Sequence, residues 1–172
     1  MNAKFKPLLL AGVVLLLPAV GGTQSPTSYS TPEFSATFNG PVTAQPPART
    51  STTNNSVDLY YSSRASGVQQ IIAIRTMDGA AYTTTDFSSS DFYAQQIAAS
   101  GTLVGSSQDR YQGYPFSYTK ALMTQQDGSK LVQRDRFIIL SDRRMAFVRM
   151  LSPPDQDSDS VWLAFANSLY IK

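Results

Sequence analysis

The stretch YPFSYTKALMTQQDGSKLVQRDRFIIL, from Tyr114 to Leu140, decides the fold. Both halves are rich in aromatic and β-branched residues. Between them stands Gln125-Gln126-Asp127-Gly128-Ser129, whose Asp-Gly pair favours a tight hairpin turn. The pattern predicts two long antiparallel strands, Tyr114 to Thr124 and Lys130 to Leu140. A two-residue turn at Asp127-Gly128 sets Gln126 against Ser129, and from there Leu122 against Gln133, Lys120 against Asp135, Tyr118 against Phe137 and Phe116 against Ile139. Such a register joins two aromatics, an aromatic with a β-branched residue, and opposite charges, pairs worth about 0.2–1 kcal/mol each. The run Phe137-Ile138-Ile139-Leu140 is apolar on both faces, so the second strand is expected inside a sheet covered on both sides.

Toward the C-terminus, Ser141-Asp142-Arg143-Arg144 returns the chain through Met145 to Leu151. A three-residue loop there puts Phe147 opposite Phe137 and Arg149 opposite Asp135. After Pro153-Pro154, the acidic run Asp155-Gln156-Asp157-Ser158-Asp159 precedes Val161-Trp162-Leu163-Ala164-Phe165-Ala166, apolar enough for a docked helix. Leu169-Tyr170-Ile171 closes as a short strand. Toward the N-terminus, Thr102 to Gln108 reads as a strand. Before it, Ser88-Ser89-Ser90 offers N-caps to Phe92, Tyr93, Ile97 and Ala98 at helical spacing, with Gly101 as the stop, which predicts a helix over about Ser89 to Ser100.

Earlier still, Ser56 to Tyr61 and Val68 to Arg75 are strands paired across Arg64 to Gly67, and Gln45 to Asn55 is a loop. Phe34-Ser35-Ala36-Thr37-Phe38, apolar at every second position and followed by Asn39-Gly40-Pro41, is the first strand. The Ser/Thr/Pro-rich residues 23–33 read as a flexible lead-in. The whole order predicts one α+β domain over residues 34–172. It is mainly an antiparallel β-sheet with helices covering both faces, an α/β/α sandwich.

The chain opens as a secretory signal peptide over residues 1–22. Lys4 and Lys6 give the positive region, Leu8 to Leu17 the apolar region, and Pro18 breaks it before Ala19-Val20-Gly21-Gly22. The apolar run reaches about half the ~20 residues a spanning helix needs. Cleavage fits after Gly21 or after Gly22. No cysteine follows to be acylated, so the product is expected to be soluble, secreted or periplasmic, with no stable membrane insertion after signal cleavage.

Lys and Arg number 14 against 12 Asp and Glu in the 172 residues. Removing Lys4 and Lys6 with the signal leaves 12 against 12, a neutral product with no basic surface for nucleic acid. Cysteine and histidine are both absent. Without them there are no disulfides, no thiol nucleophiles, no thiolate or imidazole metal sites and no triad with a His base. Glu33 is the sole glutamate. No catalytic residue and no cofactor are predicted.

Three segments carry a family resemblance. Phe34 to Pro41 resembles the opening F-x-x-x-F-P pattern of the PsbP-like family, Arg136 to Val148 its central hairpin, and Phe165-Ala166-Asn167-Ser168-Leu169 its closing F-L-x-S-F. The chain departs at Asn39, where the family often has Pro, and at Leu169, where it often has Phe. The family includes the extrinsic protein of photosystem II, the Ran-binding Mog protein and small exported bacterial proteins. The resemblance implies a scaffold that binds other proteins, with no shared catalytic residues.

Several motifs compete with plainer readings. Ser117-Tyr118-Thr119-Lys120 matches S-x-x-K, but residues three apart on a strand point to opposite faces and cannot meet. Asp155, Asp157 and Asp159 imitate the start of a calcium loop. The expected Gly is Ser160 and the closing carboxylate is Ala166, and a solvated turn capping the helix accounts for the same residues. Arg134 and Arg136 share a strand face and are either a grip for an anionic partner group or solvated rim arginines. Tyr111 and Tyr114, around Gln112-Gly113, form either an exposed recognition loop or a packed hairpin corner. Asn54-Asn55-Ser56 fits the glycosylation pattern.

Two functions of different class follow from these residues. One is an exported non-catalytic binding or accessory module that contacts another exported or envelope protein. The other is a small-ligand carrier or hydrolase using Asp, Arg and Tyr in a pocket between sheet and helix.

Overall fold

A computed structural model describes residues 25–50, 56–77 and 101–172. The signal segment 1–22, the helix expected over Ser89 to Ser100, and Asn54-Asn55 of the glycosylation pattern lie outside them.

Long alternating strands joined by tight turns build the larger sheet. β5 (Ser56–Ala65) and β6 (Val68–Met77) meet through Ser66 and Gly67 at φ of 50° and 84°. β7 (Gly101–Tyr111) and β8 (Tyr114–Thr124) meet through Gln112 and Gly113 at 51° and 83°. Paired positive φ values at a two-residue loop match the right-handed twist of the flanking strands. β9 (Lys130–Ile139) and β10 (Arg144–Ser152) follow. The sheet order is β3 (Val42–Ala44), β5, β6, β10, β9, β8 and β7, so β9 lies between two neighbours and is buried from Arg134 to Ile139.

The β8–β9 register differs by one residue from the expected one. Lys120 pairs with Arg134, Tyr118 with Arg136, Phe116 with Ile138 and Leu122 with Val132. The cause is the turn. Gly128 N–H donates to the Gln125 carbonyl at 3.0 Å and Gln125 N–H to the Ser129 carbonyl at 2.8 Å, with Gly128 at φ 82°. This is a three-residue loop with glycine in the left-handed bulge position, which shifts every pair by one. The Asp127 carboxylate holds it by accepting from the Ser129 N–H at 2.9 Å and hydroxyl at 2.6 Å. Those bonds hold its carboxyl below the usual range. At the next corner the expected register is observed, with Phe147 against Phe137 and Arg149 against Asp135.

The stretch read as a loop from Gln45 to Asn55 is not all loop. β3 (Val42–Ala44) and β4 (Ala48–Thr50) each pair with β5, interrupted at Gln45-Pro46-Pro47, where proline cannot continue a ladder. Order also begins before Phe34. β1 (Thr27–Ser30) pairs with β2 (Phe34–Phe38). Thr31 Oγ1 turns the chain between them by accepting from the Glu33 and Phe34 N–H groups, both at 3.1 Å. With β11 (Tyr170–Ile171) these strands form a second, three-stranded sheet.

One face of the large sheet carries both the small sheet and α1 (Asp159–Ser168). Trp162, Phe165, Ala166 and Leu169 recur at helical spacing and are buried with Phe34, Ala36 and Phe38 of β2 against Ile72, Ile74, Ile138, Ala146, Val148 and Met150. Ser168 ties the helix end to β2 by accepting from the Thr37 N–H at 2.9 Å. On the opposite face Ala73, Phe137, Ile139, Met145 and Phe147 form a second cluster.

The expectation of an α+β sandwich with helices over both faces is overturned. The described residues are mostly antiparallel strand in two sheets, with a single α-helix on one face. The layer beside that helix is itself strand, because Phe34, Ala36 and Phe38 repeat with a period of two.

Candidate functional site

Alternation along β9 sends Arg134 and Arg136 to the face that α1 covers, while Asp135 points to the other face and is held there by Arg149, Nε to Oδ1 at 2.7 Å. Both arginines are buried, at 2% and 6% exposure, so neither is a solvated rim residue.

Arg134 lies under the start of the helix. A 3-10 turn at Pro154–Gln156 carries the chain from β10 to Asp157, whose carboxylate turns inward. Arg134 Nε donates to Asp157 Oδ1 at 2.7 Å and Nη2 to Oδ2 at 2.6 Å, a two-pronged fork on one carboxylate. Its Nη1 meets Asp159 Oδ1 at 2.6 Å, and Lys120 Nζ, from the paired position on β8, meets Asp157 Oδ2 at 2.8 Å. Burial alone would lower the Arg134 pKa, but the bonds to Asp157 and Asp159 outweigh it and raise it above the usual value. Burial alone would raise that of Asp157. Bonds from Arg134 and Lys120 instead hold it below the usual carboxylate range. Burial pushes the neighbouring Tyr118 phenol up.

Arg136 lies under the end of the helix. Its guanidinium carbon is 5.0 Å from the ring centre of Tyr111, 4.8 Å from Phe116 and 5.8 Å from Trp162. Nη1 donates to the Ala166 carbonyl and to Asn167 Oδ1, both at 3.1 Å. A cation against the last helix carbonyls meets the negative pole of the helix. Nε is buried without an acceptor, and burial lowers the Arg136 pKa.

Tyr111 and Tyr114 face each other across the β7–β8 turn, and both are partly buried. The corner is a docking element for the helix end. The Tyr111 hydroxyl bonds to the carbonyls of Leu169 at 2.5 Å and Asn167 at 2.9 Å. The Gln112 amide donates to the Leu169 carbonyl at 2.8 Å and accepts from the Ile171 N–H at 3.1 Å.

Asp155, Asp157 and Asp159 do not converge as a calcium loop would require. Asp157 is held by Arg134 and Lys120, Asp159 by Arg134, and Asp155 is exposed. No group of three His, Cys, Asp or Glu residues able to hold a metal ion occurs among the described residues. Ser117 pairs with Phe137 and Lys120 with Arg134, on opposite faces of β8, so the S-x-x-K residues do not meet.

The partner role of Asp157, the ring of Trp162, and the carbonyl and amide groups at Asn167 were not legible from the sequence. One signal existed. The correct register sets Lys120 against Arg134, and two adjacent cations under a covering helix call for a carboxylate from that helix segment.

No family model and no curated protein matches the chain. Among solved structures, the cyanobacterial PsbP (CyanoP) of Synechocystis sp. PCC 6803 is similar over 92% of this chain and 99% of that one, at a TM-score of 0.54 and 10% identity. A protein of unknown function from Pseudomonas aeruginosa is similar over 76% of this chain and 84% of its own, at a TM-score of 0.41 and 12% identity. The first comparison shows a PsbP-like fold.

Proposed function

We propose that this chain is an exported, non-catalytic binding or accessory module of PsbP-like fold that contacts another exported or envelope protein. The observation that carries the reading is how the ionisable side chains under α1 are used. Asp157 and Asp159 are bonded to Arg134 and Lys120, and no base, acid or nucleophile is set beside another for reaction among these residues. The arrangement is a clamp that fixes a helix on a sheet. The residues 1–22 supply the route out of the cytosol, and the product is secreted or periplasmic. No helix among the described residues is long and apolar enough to cross a membrane.

Exposed Leu163 at 47% and Tyr170 at 60%, on the helix and directly after it, are the docking positions this reading favours. Photo-crosslinkers placed at Leu163 and Tyr170, and at Thr43 on the far edge as a control, would be activated in the native envelope. The expected result is one discrete protein adduct from Leu163 and Tyr170 and none from Thr43. Absence of any adduct, together with a small molecule that raises the melting temperature, would overturn the reading in favour of a carrier or hydrolase.

A further inference from the structure

The two arginines of β9 use the same guanidinium edge differently. In Arg134 the Nε–Nη2 edge is filled by the two oxygens of Asp157, at 2.7 and 2.6 Å. In Arg136 Nη1 is engaged by the neutral oxygens of Ala166 and Asn167, while Nε is buried and has no acceptor among the described residues. No carboxylate forms an ion pair with Arg136 among the described residues. Burying a guanidinium without a counter-charge is costly, and ring faces and a helix terminus return only part of that cost. A buried donor left without a partner calls for an explanation.

We propose that the Nε–Nη2 edge of Arg136 is a recognition site for a carboxylate presented by a docking protein. A planar guanidinium edge matches a carboxylate with two parallel bonds, and Arg134 shows that pairing two residues away on the same face. The rings of Tyr111, Phe116 and Trp162 keep the surroundings apolar, which strengthens a charge pair formed there.

Nε is sealed, so entry requires the Tyr111–Gln112 corner to yield at its bonds to the Asn167 and Leu169 carbonyls. Leu163 lies one helical turn before Asn167 and Tyr170 directly follows Leu169, and both are exposed. Apolar side chains at the rim suit a protein better than a free small acid. The inference rests on the binding-module reading for that source alone.

The test uses the purified full chain in sodium acetate, sodium sulfate and sodium chloride at matched ionic strength, read by melting temperature and by the Nε–Hε resonance of Arg136. Acetate is expected to move that resonance saturably. It should raise the melting temperature by about 3–5 °C at ten times its half-saturating concentration, and Arg136→Lys should abolish that rise. No saturable response, or an unchanged temperature response in Arg136→Lys, overturns the site. An equal response to chloride or sulfate means an adventitious ion only and does the same. Should Arg136→Lys not melt cooperatively, the wild-type resonance decides alone. A partner crosslinked equally to wild type and Arg136→Lys sinks the Arg136 site and leaves the module standing. An acetate response with no protein adduct overturns the protein source of the carboxylate.

Discussion

Arg134 and Arg136 stand two residues apart on one strand, point to the same face and are both almost wholly buried, yet they end in different electrostatic surroundings. Two carboxylates surround Arg134, and its pKa is raised above the ordinary value. Rings and neutral oxygens surround Arg136, and burial lowers its pKa. The helix that covers them runs from an acidic start to an uncharged end: Asp157 just before it and Asp159 in its first turn supply counter-charge, whereas Asn167 at its end supplies an amide. Two arginines with one pattern in the sequence therefore do different work. The first locks the helix start, and the second is left without a counter-charge from any carboxylate among the described residues.

If that contrast is real, removing the first arginine costs far more than removing the second. Arg134→Met strands Asp157, 7% exposed, in a low-dielectric site. Breaking a buried pair from one side costs about 3–5 kcal/mol, and the denaturant midpoint should fall accordingly. A loss under about 1 kcal/mol would show that Asp157 finds water or Lys120 alone sufficient, and the lock would be no lock.

The same contrast appears in acid. The Asp157 pKa is lowered in the folded state, so its contribution is present above the unfolded carboxylate value of about 3.9 and is lost as pH falls through the lower folded value. Asp157→Asn keeps the shape and removes the titration. At neutral pH it should cost about 2 kcal/mol, the order of a hydrogen bond to a charged group. The gap between variant and wild type should then close as pH falls below about 4. A gap that widens in acid would mean that the carboxylate is not the group being protonated.

Arg136→Met is expected to cost less, about 1–2 kcal/mol. It removes ring contacts and a cation at a helix end but strands no carboxylate, and it relieves a buried charge. Equal losses in Arg134→Met and Arg136→Met, measured by urea unfolding, would erase the distinction between the two sites.

The strand pairs, the tight corners and the apolar helix near the end were legible in the sequence because each rests on local patterning. Phe34, Ala36 and Phe38 announce β2 by their period of two, and Trp162, Phe165 and Ala166 announce α1 by their helical spacing. Other features depend on tertiary placement. Thr27 to Ser30 is too polar to signal a strand, and becomes one because β2 offers it an edge and Tyr29 packs on Phe38 and Tyr61. The layer expected as helix on both faces is partly strand for the same reason. In the site, Arg134 and Arg136 were visible as a same-face pair, but what each would meet depended on the β8–β9 register and on where the helix lands. Neither is encoded within a few residues of the arginines.

That register is the source of the contrast, and a single atom at the hairpin tip tests it. Asp127-Gly128 reads equally well as a two-residue loop or as the end of a three-residue one, and the choice moves every pair by one. In the two-residue form Lys120 would face Asp135 and the cations under α1 would lose their neighbour. The observed form sets Lys120 beside Arg134, which concentrates positive charge where Asp157 arrives. Gly128 holds it at φ 82°, and an added Cβ would meet nothing within 4 Å, so Gly128→Ala tests backbone preference alone. The expected cost is about 1 kcal/mol, the smallest of the four, with the Lys120–Asp157 contact preserved. A stabilised variant would mean that position 128 does not need the left-handed conformation. The three-residue loop with glycine in its left-handed position would then be wrong, and the pairing of Lys120 with Arg134 that follows from it would have to be abandoned.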